Sequence, residues 1–397
     1  MGSVIYFFEH SLTELFFGNN SRDYLDFIPF AILYMSITVQ LNIATMWLRV
    51  QGWVTAFSLV AVFQSILAVV TALVLIHVGG GVKDFVILTV IADCILLVSL
   101  LVHRSVFFGW MKPHFSQIRS LIKYGLPLLP AAYAMWGLNW IDRLFLVEYT
   151  NMESIGIYSL IYGLSLMVVS LFGRPFRSMF PTQSATLFNN GDMEGLQRLF
   201  NQSAGMLLAF LIPATFGIAL VGNEIILTMA TPEFLPGSKL LAVVMAGYAI
   251  NSLSSFYDVS LGLSYKQIWS SISLGVALIL NCVLNALLIP KYGIDGAAWA
   301  TLCSFCIKFL ISFTVSQKFK IFKTDVFFVT KITLASLIMY ICVLGLKGFF
   351  LELNGSILFG LTVYPVAGVM FYVVTLCIIW KRARIRIWGY LTNRSLV

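Results

Sequence analysis

A few ionisable side chains interrupt otherwise apolar stretches of this chain. Arg143, Lys308, Asp142, Asp258 and Asp93 fall inside such stretches or near their ends, and Arg174 and Arg177 close another. A guanidinium presents paired N–H donors that match phosphate oxygens, so Arg143, Arg174 and Arg177 suit a phosphate-bearing ligand, with Lys308 as a further point charge. A carboxylate in such surroundings can take up H⁺ or Na⁺, which makes Asp142, Asp258 and Asp93 candidates for ion coupling. Plainer roles stand beside these. Arg174 and Arg177 can be anchors that snorkel to an interface, Lys308 can pair with a carboxylate such as Asp258, and Asp93 can be polar packing between helices. Asp142 and Arg143 are sequence neighbours and point about 100° apart on a helix, so the spacing predicts that they do not neutralise each other. Their plainer role is a structural ion pair between two halves of the protein.

The residue set for bond chemistry is missing. Outer connections between the apolar stretches are short and carry no Ser-His-Asp, paired-carboxylate or metal-ligand constellation. Cys303-x-x-Cys306 has no further Cys or His nearby to complete a zinc site. All six cysteines (Cys94, Cys282, Cys303, Cys306, Cys342 and Cys377) lie in apolar stretches and read as small apolar side chains. No metal and no cofactor is expected.

The elements that must position these residues follow from composition. Of 397 residues, 59% are hydrophobic and 11% charged, and the mean hydropathy is +0.92. Soluble domains are about one quarter charged, so lipid is the solvent for most of this chain. A net charge of +8 would suit nucleic acid in a soluble protein. Here the basic residues sit in loops that alternate along the chain, and nucleic acid is excluded as a partner. Crossing the hydrocarbon core takes about 20 apolar residues. The pattern predicts an all-α, polytopic fold with about 11 spans, at 27–48, 53–76, 83–102, 121–146, 154–173, 203–222, 239–261, 268–289, 295–316, 327–346 and 357–380. Residues 1–18 carry Glu9, His10 and Glu14 and read as an interfacial helix. The start of the chain has neither a cleavable signal peptide nor a myristoylation signal.

Lys and Arg set the orientation, because positive loops stay in the cytoplasm. With the carboxyl tail cytoplasmic, most basic residues fall on that side, among them Arg49, Arg104, Lys112, Arg174, Arg177, Lys266, Lys318 and the Lys381–Arg386 cluster. Only Arg22, Lys83, Lys239, Lys291 and Lys347 fall opposite. An internal repeat also emerges. Residues 78–100 lie over 290–312 at an offset of 212, matching Gly81 to Gly293, Thr89 to Thr301, Cys94 to Cys306 and Ile95 to Ile307. The flanking spans recur in length, spacing and direction, as in a parallel repeat about an axis along the membrane normal. Three further spans precede the second copy and none precedes the first. The expected organisation is an incomplete amino-terminal lobe at 1–104, a complete six-span lobe at 105–319, and two added spans with a basic tail at 320–397. On this reading the chain lacks about three amino-terminal helices of a complete relative.

Three segments carry a family resemblance: KYGLPLLPAAYAMWGLNWIDRLFLVEYTNMESIGIYSLIYGLS at 123–165, PKYGIDGAAWATL at 290–302 and LRVQGW at 48–53. They resemble the polysaccharide-exporting flippases of the multidrug/oligosaccharidyl-lipid/polysaccharide exporter superfamily, the O-antigen flippase type. The resemblance implies a two-lobed transporter of the inner or plasma membrane. It would move a polyprenyl-diphosphate-linked oligosaccharide from the cytoplasmic to the outer leaflet, in contact with membrane lipid and with other polysaccharide-assembly membrane proteins. It also makes Arg143, Arg174, Arg177 and Lys308 the expected diphosphate and glycan contacts. Tyr133, Trp136, Trp140 and Tyr162 could stack on sugars, and Pro127, Pro130, Pro213 and Pro365 could bend helices. Competing readings are a multidrug antiporter or lipid II flippase of the same superfamily, an integral-membrane glycan polymerase or ligase, and a non-transporting partner protein.

Overall fold

A computed structural model describes residues 28–50, 53–79, 82–108, 129–319, 326–351 and 357–379, with the single residues 122, 126 and 322. The expected interfacial helix at 1–18 lies outside them, as does Pro127. The described residues form ten α-helices and one 3-10 helix. They are α1 (Ile28–Val50), α2 (Val54–Val78), α3 (Val82–Phe108), α4 (Leu129–Tyr149), α5 (Met152–Asn189), α6 (Met193–Met229), the 3-10 turn Pro232–Gly237, α7 (Ser238–Leu263), α8 (Ile268–Phe319), α9 (Val326–Leu351) and α10 (Ile357–Ile379). Eight helices are long and apolar enough to cross a membrane, so this is a multi-pass membrane protein.

At 52 residues, a straight α8 would be about 78 Å long, more than twice the hydrocarbon core. It does not run straight. Gly293 breaks it at φ 55°, ψ −130°, a conformation in which a Cβ would be strained. The arms then fold back on each other. A Cβ on Gly296 would come within 2.6 Å of the Leu288 carbonyl oxygen, and the Ser273 and Ser312 hydroxyls meet at 3.1 Å across 39 residues. The expected spans 268–289 and 295–316 are these two arms, and with α8 divided the described residues form eleven α-helical segments.

Helices α5 and α6 overrun the expected 154–173 and 203–222, reaching 38 and 37 residues. The sequence boundary fell where Arg174 and Arg177 begin, but backbone hydrogen bonding does not stop at a charge. The extensions keep an apolar face, where Phe180 packs on Phe256 at 4.6 Å and Phe200 stacks on Phe322 at 4.4 Å. Local caps set the ends. The Asn151 side chain accepts from the Ser154 amide at 2.9 Å, and Asp192 accepts from the Gly195 amide at 2.7 Å. Pro213 and Pro365 lie within continuous helices.

The chain forms two compact units, Met1–Tyr124 and Gly125–Val397. In the first, α1 lies mainly against α3, and α2 leaves Leu59, Val62, Phe63, Ile66 and Leu73 exposed. In the second, Leu138, Tyr158, Leu207, Tyr257 and Phe305 are fully buried among α4–α8. Small residues bring these helices close: Gly247 faces the Leu302 backbone, and Gly222 faces the Ser238 carbonyl. Helices α9 and α10 join through α6, where Tyr372 donates to the Ala209 carbonyl at 3.0 Å.

Candidate functional site

The buried face of α4 carries Ala134, Gly137, Leu138, Asp142 and Leu146. Asp142 is completely buried. The Tyr158 hydroxyl, from α5, donates to one carboxylate oxygen, and the Arg143 amide donates to the other at 2.9 Å. Arg143 turns back toward the same group. Its Nη1 donates to the Asn139 carbonyl at 2.8 Å and reaches Asp142 Oδ1 at 3.4 Å. The expectation that these neighbours stay apart is therefore corrected. Their Cβ directions do diverge, but the long arginine stem curls over the preceding turn and recovers the contact. The pair also lies within one helix and does not bridge halves of the protein.

Rings hold the guanidinium in place. Its carbon lies 4.4 Å from the Trp140 centroid, 4.9 Å from Tyr162 and 5.7 Å from Tyr158. Tyr248 of α7 donates to the Asn139 side chain at 2.8 Å and meets Tyr162 edge-on at 5.3 Å. The Arg143 side chain remains 17% exposed, and among the described residues only its Nη1 is engaged. In the same unit, the buried Asn281 Nδ2 and Asn285 Oδ1 have no hydrogen-bond partner among the described residues. Asn285 donates to Asn281 at 3.0 Å along the first arm of α8. Tyr162, expected as an accessible sugar platform, is instead almost wholly buried. Tyr133, Trp136 and Trp140 are about half exposed, on the opposite side of α4 from Asp142.

Lys308 lies elsewhere in the same unit, 3% exposed. Its three donors meet Asn251 at 2.9 Å, Ser254 at 3.3 Å and Asp258 at 3.2 Å, while Ser312 donates to the other Asp258 oxygen at 2.8 Å. The lysine is neutralised and its donors are filled, which leaves it nothing to offer a phosphate. Asp93 accepts from Gln64 at 3.2 Å, polar packing between α2 and α3. Arg174 and Arg177 lie within α5 rather than at its end. Both are exposed, and Arg177 donates to Ser252 at 3.3 Å. Sequence reasoning missed Tyr158, Asn139, Tyr248 and Asn251 as partners. It also missed the ion pair of Lys347 with Glu224 at 2.7 Å, because Lys347 was assigned to a loop when it lies in α9.

The sequence pattern of a family described as "Polysaccharide biosynthesis protein" matches residues 1–239. The chain is similar to the "Probable low-salt glycan biosynthesis flippase Agl15" of Haloferax volcanii, at 24% identity over 302 residues, 72% of this chain and 63% of that protein. It is also similar to the "Probable flippase AglR" of the same organism, at 29% identity over 178 residues, 42% of this chain and 35% of that protein. The chain thus spans less than two thirds of the length of these relatives. Among solved structures, the lipid II flippase MurJ in an inward closed conformation superimposes with a TM-score of 0.78 and 17% identity, over 96% of this chain and 80% of that one. The fold is shared with that transporter.

Proposed function

The chain belongs to the polysaccharide biosynthesis protein family, and from that premise we propose that it is a flippase carrying a polyprenyl-diphosphate-linked oligosaccharide from the cytoplasmic to the outer leaflet. The relatives named as glycan flippases support this reading. The task is transport, not bond chemistry: an anionic diphosphate and its sugars must pass a core where an unpaired charge costs at least about 2.5 kcal/mol.

The observation that carries the reading is Arg143. Lys308 and Lys347 are matched by carboxylates at 3.2 and 2.7 Å, whereas Arg143 holds Asp142 only at 3.4 Å and keeps open guanidinium edges. Those edges take the diphosphate. Arg174 is 16 residues beyond Tyr158 on α5, about 24 Å along the helix. Arg174 and Arg177 thus serve as the contacts at the entry side, and the positive-inside pattern makes that side cytoplasmic, along with the carboxyl tail.

Asp142 supplies the coupling. An H⁺ or Na⁺ at this carboxylate removes its hold on Arg143 and frees the guanidinium for phosphate, so ion and substrate binding reinforce each other. Asn281, Asn285 and Thr301 are further buried polar groups on α8. Asp258 is held by Lys308 and Ser312 and Asp93 by Gln64, whereas Asp142 is the carboxylate in contact with Arg143, which supports it as the coupling group.

Expression in a flippase-deficient cell that accumulates lipid-linked repeat units tests the reading through surface polysaccharide. Rescue is expected, and Arg143→Gln should lower export at least about tenfold, the worth of one charged hydrogen bond. Unchanged export by Arg143→Gln removes Arg143 from the pathway. No rescue by this chain or by an upstream-extended form, with protein present in the membrane, overturns the flippase reading for that glycan.

A further inference from the structure

Resting on the flippase reading, we propose that the exposed face of α4 is a track for the sugar chain itself: with the diphosphate at Arg143, successive sugars stack on Trp140, Trp136 and Tyr133. Positions 133, 136, 140 and 143 fall within about 80° of one another at 100° per residue, a single face of the helix. Trp136 is 53% exposed, Trp140 51% and Tyr133 50%.

Two other occupants of that face are lipid tails and the headgroup layer. Headgroup-level aromatics gather at one depth, whereas these three rings span about 10 Å along α4, and about 15 Å with Arg143. The exposed faces of two other apolar helices, α2 and α10, carry Leu59, Val62, Phe63, Ile66 and Leu73 on one and Val366, Val369, Met370, Val374 and Ile378 on the other. They are chiefly aliphatic. A partly open arginine within the membrane must face water or an anion, and the three rings share its sector. Aromatic faces take up the apolar C–H face of a pyranose, while tyrosine and tryptophan N–H and O–H groups meet sugar hydroxyls. The almost wholly buried Tyr162 ring lies 4.9 Å from the Arg143 guanidinium and helps to hold it at the end of this face.

The track makes the transporter a reader of glycan length. A bare diphosphate engages only Arg143, and each added sugar gains one ring, up to about three sugars for the three rings.

The test measures binding of the full chain in lipid nanodiscs to polyprenyl diphosphates bearing zero to four N-acetylhexosamine residues. Affinity is expected to rise about threefold per sugar and to level off after about three. In Tyr133→Ala/Trp136→Ala, the ratio of affinities for the trisaccharide and bare lipids should fall toward one, while Tyr133→Phe/Trp136→Phe keeps it. Arg143→Gln should weaken both lipids and preserve the ratio. Equal wild-type affinity for bare and sugar-bearing lipids overturns the track while leaving the flippase reading intact, and so does a ratio that survives the alanine variant. Failure of wild type to bind the bare lipid overturns the Arg143 reading beneath it.

Discussion

Two regions of this chain whose sequences can be laid over each other hold very different interiors. At the offset of 212, α1 lies over α7 and α3 over the second arm of α8. The second copy places Asp258, Lys308, Asn251 and Ser312 in one hydrogen-bonded set between those two helices. The corresponding residues of the first copy are Met46, Leu96, Val39 and Leu100. In exchange the first copy has Asp93, bonded to Gln64 at 3.2 Å, where the second has the fully buried Phe305. Helices of similar length and order therefore hold different polar contacts in the two regions. Each copy is free to place polar groups where its own neighbours can satisfy them, since in lipid an unmatched polar group is the costly outcome.

The sharpest way to break this comparison is Lys308→Met. It leaves the part-buried Asp258 carboxylate with Ser312 as its remaining donor and should cost up to about 3 kcal/mol, read as lost thermal stability of the detergent-solubilised protein. Adding Asp258→Leu, which makes the second copy resemble the first, should recover most of the loss. If it does not, the pair does more than match charge. Glu224→Gln is intermediate. It removes the charge facing Lys347 at 2.7 Å and should cost about 2 kcal/mol, loosening α9 from α6 and raising hydrogen exchange in α9. The smallest effect is expected for Gln64→Leu in the first copy, about 0.6 kcal/mol, typical of one interhelical hydrogen bond in a membrane. A loss there as large as for Lys308→Met would erase the distinction between the copies.

Much of the site was legible as residue types. Arg143, Lys308 and the three aspartates stand out because each is a charge in an apolar run, and such positions are few. Their states were not legible. The pairing of Lys308 with Asp258 was one of two open readings, and the choice depended on whether α7 and α8 bring residues 50 apart into register. The Asp142–Arg143 contact was misread because Cβ direction stood in for the reach of a flexible stem. Tyr158 and Tyr162 look like any pair of helix aromatics until α4 and α7 are placed against them.

By itself the sequence determined that lipid is the solvent, that the chain is helical throughout its described length, and where about eleven apolar segments lie. Those are properties of composition summed over some twenty residues, and they survive any arrangement of the helices. The tertiary structure alone decided that α5 and α6 run on past their charged residues, that Gly293 folds α8 into a hairpin, and which buried charges are matched. These depend on rotation and register between helices, which hydropathy does not encode, and on single contacts of a few ångströms that no periodic pattern specifies.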